Sequence, residues 1–249
     1  MHHSAVLRHT WWSVRGRFAI ALFIVIVHAS ATVLLFGRVG GGAPEAWEMT
    51  PEDRESAERL LGGSYAEYLG EGWAGGQLSG LLAFVGLALA AGGVVAERRH
   101  GTADLTGSFP IPPAHWLLMR CGLVLILLVL LGVASAAVVT IGAIAIGTAT
   151  PLGLVAASVV LAGLGHAYAV TFVLLASTWT RDTIGAALLG LALLYVLDGT
   201  ASAGWQPGLL LDIRAWSPSP PWFAIAVAPG LTVSFLFLAI RRFATADRP

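Results

Sequence analysis

Six apolar stretches, each near the length of a bilayer crossing, constrain this chain of 249 residues more than any other feature. A hydrocarbon core about 30 Å thick takes about 20 residues of helix. Stretches that qualify run over 18–37, 78–96, 116–147, 154–178, 183–199 and 222–240. Apolar residues make up 57 % of the chain and charged residues 11 %, where a soluble domain carries about a quarter charged. A water-soluble fold is therefore set aside, and the reading is a single all-α membrane domain over 1–249 with six transmembrane helices. The third stretch is longer than one crossing needs, so it is expected to tilt, bend or leave the bilayer, with Gly132 and Gly142 as points of flexure. The apolar run that starts at Phe18 continues past His28-Ala29-Ser30, which reads as an uncleaved first span rather than a signal peptide.

Orientation follows from where the charges fall. All fourteen basic residues are Arg. With the amino terminus inside, Arg8, Arg15, Arg17, Arg98, Arg99, Arg120, Arg181, Arg241, Arg242 and Arg248 lie on or near the cytoplasmic side, leaving Arg38, Arg54, Arg59 and Arg214 outside. Cytoplasmic loops retain basic residues during insertion, so both termini are placed in the cytoplasm. A formal net charge of zero removes bulk attraction for nucleic acid.

Two extracytoplasmic segments are expected. Residues 38–77 form an acidic loop with Glu45, Glu48, Glu52, Asp53, Glu55, Glu58, Glu67 and Glu71. Thr50-Pro51-Glu52-Asp53 starts a short helix there, with a cap, a first-turn Pro and acids at the positive end of the dipole. Tyr65, Tyr68, Leu69 and Trp73 follow as a short amphipathic piece suited to the membrane interface. Residues 200–221, with Trp205, Trp216, Pro207, Pro218, Pro220 and Pro221, are too apolar for a solvated loop and too broken for a span. They read as an outer re-entrant or interfacial helix before the sixth span.

Catalytic signatures are missing from the sequence. There is no His-Glu-x-x-His, no Gly-x-Ser-x-Gly, and, with no Lys in the chain, no phosphate loop of the Gly-Lys-Ser/Thr type. Cys121 stands alone, which rules out an internal disulfide and leaves a small packing residue. His28, His166 and Asp198 are the candidates for ionisable residues deep within the spans. Such residues are costly in lipid and raise the alternative of an ion-coupled secondary transporter, with a non-transport membrane assembly subunit as a further possibility.

The most structured polar segment on the inner side is 97–115. Glu97-Arg98-Arg99 close the second span, Gly101-Thr102 turn the chain, and Thr102 caps a short helix from Ala103 to Phe109. Pro110 to Pro113 end that helix and turn the chain into the third span. A rod lying along the membrane face is suited to a groove on a cytoplasmic partner.

Here the chain resembles the permease subunits of ABC-2 type transporters, whose ATPases are usually separate polypeptides. Glu97, Gly101, Thr102, Asp104, Leu105, Pro110 and Arg120 fall on the pattern of their cytoplasmic segment after the second span. Ala103 departs from the usual Leu, Thr106-Gly107 from a Leu pair, and Pro112-Pro113 from Ser-Arg. The resemblance implies a coupling helix between helices 2 and 3, in which Glu97, Arg98, Arg99, Gly101, Thr102, Asp104, Leu105, Phe109 and Pro110 meet the ATPase. It also implies cytoplasmic ABC ATPase subunits that carry the ATP and Mg, none being held by this chain, and a second permease subunit, identical or related. The setting implied is the inner, or plasma, membrane of a bacterium or archaeon, with lipid as the surrounding partner. The cargo would be hydrophobic or amphipathic; lipid, peptide, antibiotic, polysaccharide and haem-related cargo all fit.

Overall fold

The computed structural model describes residues 2–39, 65–99, 112–180, 182–202 and 222–246. These form helices α1 (His2–Val39), α2 (Tyr65–Tyr68), a π-helical segment (Leu69–Leu78), α3 (Ser79–Arg99), α4 (Pro113–Ala145), α5 (Leu152–Trp179), α6 (Thr183–Ser202) and α7 (Trp222–Ala246), with no strand among the described residues. Among the described residues, four apolar stretches are long enough to cross a membrane: Leu7–Gly37, Ala114–Ala145, Leu152–Trp179 and Ala226–Phe243. Shorter apolar stretches, Gly80–Ala91 and Thr183–Val196, occupy α3 and α6. The outside of the bundle is as apolar as its inside: Phe23, Phe84, Ile141, Ile144, Ile184 and Phe237 are all exposed. An exterior of that kind fits a multi-pass membrane protein and would be an extended liability in water.

Helix ends follow local chemistry. Gly147, at φ +73°, closes α4, with Gly147 N donating to the Ile144 carbonyl at 3.2 Å and Thr148 N to the Ala143 carbonyl at 2.9 Å. This is the Schellman pattern, which needs a left-handed residue at that one position. Pro151 then enters α5, and Asp182 caps α6 by accepting from Gly185 N at 3.0 Å. Turns this short make α4, α5 and α6 successive neighbours.

Contacts fix the directions. Gly142 of α4 faces Val33 of α1, and Gly37 faces Ile146, so these two helices run parallel. Gly132 faces Leu82 and Val159, while Gly86 faces Leu128 and Val170, so α3 and α5 both run antiparallel to α4. Helix α5 is the hub, packing on α3, α4, α6 and α7. No break interrupts α4, which is helical throughout Pro113–Ala145, across Gly132 and Gly142. Both glycines serve as points of close approach, where a missing Cβ admits a neighbouring valine.

The second helical rod begins thirteen residues before the expected start at 78, at Tyr65. Tyr65, Tyr68, Leu69, Trp73, Ala74 and Leu78 are buried against the other helices of the bundle. Tyr65 Oη donates to the Val139 carbonyl at 2.9 Å, Tyr68 Oη to the Thr32 carbonyl at 3.2 Å, and Trp73 Nε1 to Ser135 Oγ at 3.0 Å. Phe36 packs edge-on to Tyr65 with ring centroids 4.9 Å apart. Leu69, Trp73-Ala74 and Leu78 recur every four to five residues, which suits the wider i→i+5 turn of a π-helix and keeps them on one face. Gly70, Gly72, Gly75 and Gly76 lower the preference for a tighter α turn. The amino-terminal helix is also longer than the expected span, starting at His2 rather than 18. The rest of the acidic loop, 40–64, and the expected outer element within 203–221 lie outside the described residues.

Candidate coupling segment and its helix platform

The segment singled out in the sequence joins the end of α3 to the start of α4. Glu97, Arg98 and Arg99 form the last turn of α3, so the helix runs three residues past the expected span end at 96. Gly101, Thr102, Asp104, Leu105, Phe109 and Pro110 lie outside the described residues. Because α3 and α4 are antiparallel neighbours, the two ends of the segment emerge on the same side of the bundle.

Its exit is fixed by proline chemistry. Pro112 is extended at φ −55° and ψ 138°, and Pro113 occupies the first helical position of α4, where an absent N–H costs nothing. The Pro112 carbonyl accepts from His115 N at 2.9 Å and from Trp116 N at 3.3 Å, closing the first turn. The expectation that the proline run leads into the third span is met at Pro113, whereas the helix it was expected to end lies outside the described residues.

One turn further on, α4 is clamped to the carboxyl end of α7. The Trp116 and Phe243 rings stack with centroids 5.3 Å apart and planes 12° from parallel. The Arg120 guanidinium lies 5.7 Å from the Trp116 ring centroid, and Arg120 is fully buried. Arg241 and Arg242 precede Phe243 on α7 and are exposed. The sequence placed Arg120 near the cytoplasmic face without indicating burial. A lone Arg within a long apolar stretch was the only available signal, because burial in lipid demands a protein or headgroup environment for the charge.

Three buried hydroxyls of α5 bond back along their own helix. Thr171 Oγ1 donates to the Tyr168 carbonyl at 2.9 Å, Ser177 Oγ to the Leu174 carbonyl at 2.6 Å, and Thr178 Oγ1 to the Leu175 carbonyl at 2.7 Å. Such bonds back along a helix satisfy hydroxyls in a medium with no water and call for no ligand. His166 is buried in the same helix, and His28 is partly buried on α1, where its carbonyl accepts from Thr32 Oγ1 at 3.0 Å. Asp198 is in α6. What the arrangement offers is mechanical: a segment strung between two helix ends, one of them tied by an aromatic stack to the last helix of the chain.

No protein-family model matches the chain, and no curated protein or solved structure is similar to it.

Proposed function

We propose that this chain is the membrane-embedded permease subunit of an ATP-driven exporter of the ABC-2 type, with six spans and both termini in the cytoplasm. In this reading a second permease subunit, identical or related, completes the pathway. Separate cytoplasmic ATPase subunits bind ATP and Mg and dock on the segment 97–115. ATP-driven closure of the ATPases pushes on that segment and rocks α3 and α4 as rigid rods, switching access from one face to the other. The cargo is hydrophobic or amphipathic, and the setting is the inner or plasma membrane of a bacterium or archaeon.

The single observation that carries the reading is the spacing of Glu97, Gly101-Thr102, Asp104-Leu105 and Pro110 between two apolar helices. Support also comes from the placement of the segment, since the α3 and α4 ends that flank it lie together and the exit is anchored through Trp116 and Phe243. A rod so attached can pass a push to three helices.

The test is purification of the protein from its native membrane in mild detergent, with the eluate assayed for an ATPase subunit. Co-purification is expected, with cargo-stimulated ATP hydrolysis. Glu97→Ala and Leu105→Pro are expected to abolish the stimulation while leaving the melting temperature of the permease unchanged. Normal stimulation in both variants would sink the role of the segment. Transport that stops with a protonophore while ATP remains abundant would replace the reading with an ion-coupled carrier using His28 or His166.

A further inference from the structure

The amino-terminal turns of α1 carry a feature that the proposed transport cycle does not use. Arg8, Trp12 and Arg15 recur at i, i+4 and i+7, so they share one face of the helix. All three are exposed, Trp12 by 56 %. The opposite face, through Thr10, Val14, Ala21 and Val25, is the one buried in the bundle. Beyond Arg15 the exposed face continues as Ala19, Phe23 and Val27, which is an acyl-chain surface. The cationic end and the apolar end of one stripe thus meet near residue 17.

Helical side chains lean toward the amino terminus. The Arg15 guanidinium follows this rule and sits 3.4 Å from the centroid of the Trp12 ring, one turn away from the apolar stretch. This is a snorkelling arginine resting on an interfacial indole, with the planar face of the guanidinium taken by the ring and its N–H edge left for an acceptor. Helix α1 contains no acidic residue. Among the described residues neither Arg8 nor Arg15 forms an ion pair, so nothing described on the chain neutralises this stripe.

We infer that the Arg8–Trp12–Arg15 face binds the headgroup of an anionic phospholipid, whose acyl chains lie along Ala19, Phe23 and Val27. Charge complementarity selects this occupant. A phosphodiester matches the forked guanidinium edge, and two flanking arginines favour a headgroup with net negative charge over a zwitterion. A second copy of the chain packed symmetrically through this face would set arginine against arginine in a low-dielectric contact.

The test is native mass spectrometry of the full-length protein in mild detergent, titrated with phosphatidylglycerol and, separately, with phosphatidylcholine. Phosphatidylglycerol is expected to be retained about thirtyfold more tightly, as two basic contacts near the headgroup imply. Arg8→Gln with Arg15→Gln is expected to remove that preference while leaving phosphatidylcholine binding unchanged. Arg17→Gln, on a different face, is expected to leave it intact. Should the double variant fail to fold, Arg15→Gln alone is expected to weaken phosphatidylglycerol retention about fivefold, half of the logarithmic effect. The proposal is overturned by equal retention of the two lipids or by an unchanged preference in the arginine variants. It is also overturned if millimolar inorganic phosphate displaces phosphatidylglycerol, which would make this a soluble-anion site. Disulfide-linked dimers of Trp12→Cys in a Cys121→Ser background would assign the face to a second copy and overturn it as well.

Discussion

Helices α5 and α7 are both long and apolar, yet 62 % of the apolar stretch of α5 is buried in the molecule against 11 % of that of α7. In water such a difference would be written in composition, polar outside and apolar inside. In lipid the outside is apolar too, so what separates interior from exterior is side-chain size and the fate of polar groups. Helix α5 meets glycines on three sides, Gly86 facing Val170, Gly132 facing Val159 and Gly190 facing Val173. Helix α7 presents Val233, Phe237 and Leu238 outward, and Gly230 has nothing within 4 Å of where a Cβ would stand. The hub is held by fit, whereas the outer helix is held along one edge.

The sharpest way to break this contrast is to fill the notches. A Cβ on Gly190 would collide with a Val173 methyl and stand 2.7 Å from Leu87 Cδ2. One on Gly142 would stand 2.5 and 2.6 Å from the two Val33 methyls. Neither valine has a rotamer to spare within a packed helix pair. Gly190→Val and Gly142→Val are each expected to destabilise by about 3 kcal/mol, the upper part of the overpacking range. Gly230→Val on α7 is expected to change stability by less than about 0.5 kcal/mol, like other substitutions away from packed features. Unfolding of the purified protein in detergent, followed by tryptophan fluorescence, measures all three. A similar loss in all three would erase the distinction between hub and edge.

The same contrast explains what could be read from the sequence. Helices α5, α6 and α7 start within two residues of the expected 154, 183 and 222, because hydropathy and flanking Pro or Asp mark where a helix enters. What hydropathy missed is the rod from Tyr65 to Leu78. Glu67, Glu71 and four glycines dilute its apolar signal, although Tyr65, Tyr68, Leu69, Trp73 and Leu78 line a single face. The apolar face of Tyr65, Tyr68, Leu69 and Trp73 was legible as a short amphipathic piece, but its unbroken continuation into the second helix was not. The close approach at Gly132 and Gly142 was equally hard to read, since glycine permits both a bend and a close approach and the sequence does not name the partner helix. Of the segment 97–115 only the ends, through Arg99 and from Pro112, lie among the described residues, so its spacing remains a reading of the sequence. Burial of Arg120 and its neighbour Trp116 stacked on Phe243 was not legible, because the pair joins residues 127 positions apart, from Trp116 to Phe243.

That stack provides a second comparison, now between the two ends of α4. At its start α4 is tied to α7 by two aromatic rings, and at its end by the Gly147 turn. Trp116→Leu and Phe243→Leu are each expected to cost about 1.5 kcal/mol, of which about 1 kcal/mol is ring–ring interaction. A double-mutant cycle should then recover a coupling of that size, and additive losses would mean that the rings are merely adjacent. Gly147→Ala is expected to cost about 1 kcal/mol, the penalty for a Cβ in a left-handed residue. Gly153→Ala, in α5 with open space around the Cβ position, should instead be neutral or slightly stabilising. If Gly147→Ala melts with the parent protein, the α4–α5 turn has a second conformation that needs no glycine.

The smallest effect tests the π-helical segment, where hub-like burial is achieved without hub-like sequence. Trp73 donates to Ser135 Oγ across the α4 interface and is almost fully buried. Hydrogen bonds between membrane helices are worth about 0.6 kcal/mol on average, because the separated helices find other partners. Ser135→Ala removes the acceptor and leaves the indole N–H among apolar neighbours, so it is expected to cost about 0.6 to 1 kcal/mol. Trp73→Phe removes the donor and part of the ring, and should cost more through the cavity it leaves. The informative measurement is Ser135→Ala in a Trp73→Phe background. With the donor already gone, the serine hydroxyl can turn back to its own helix, and its removal should then cost nothing. A persistent loss would show that Ser135 contributes through packing along α4, and that shape alone holds the π-helical rod as it holds the hub.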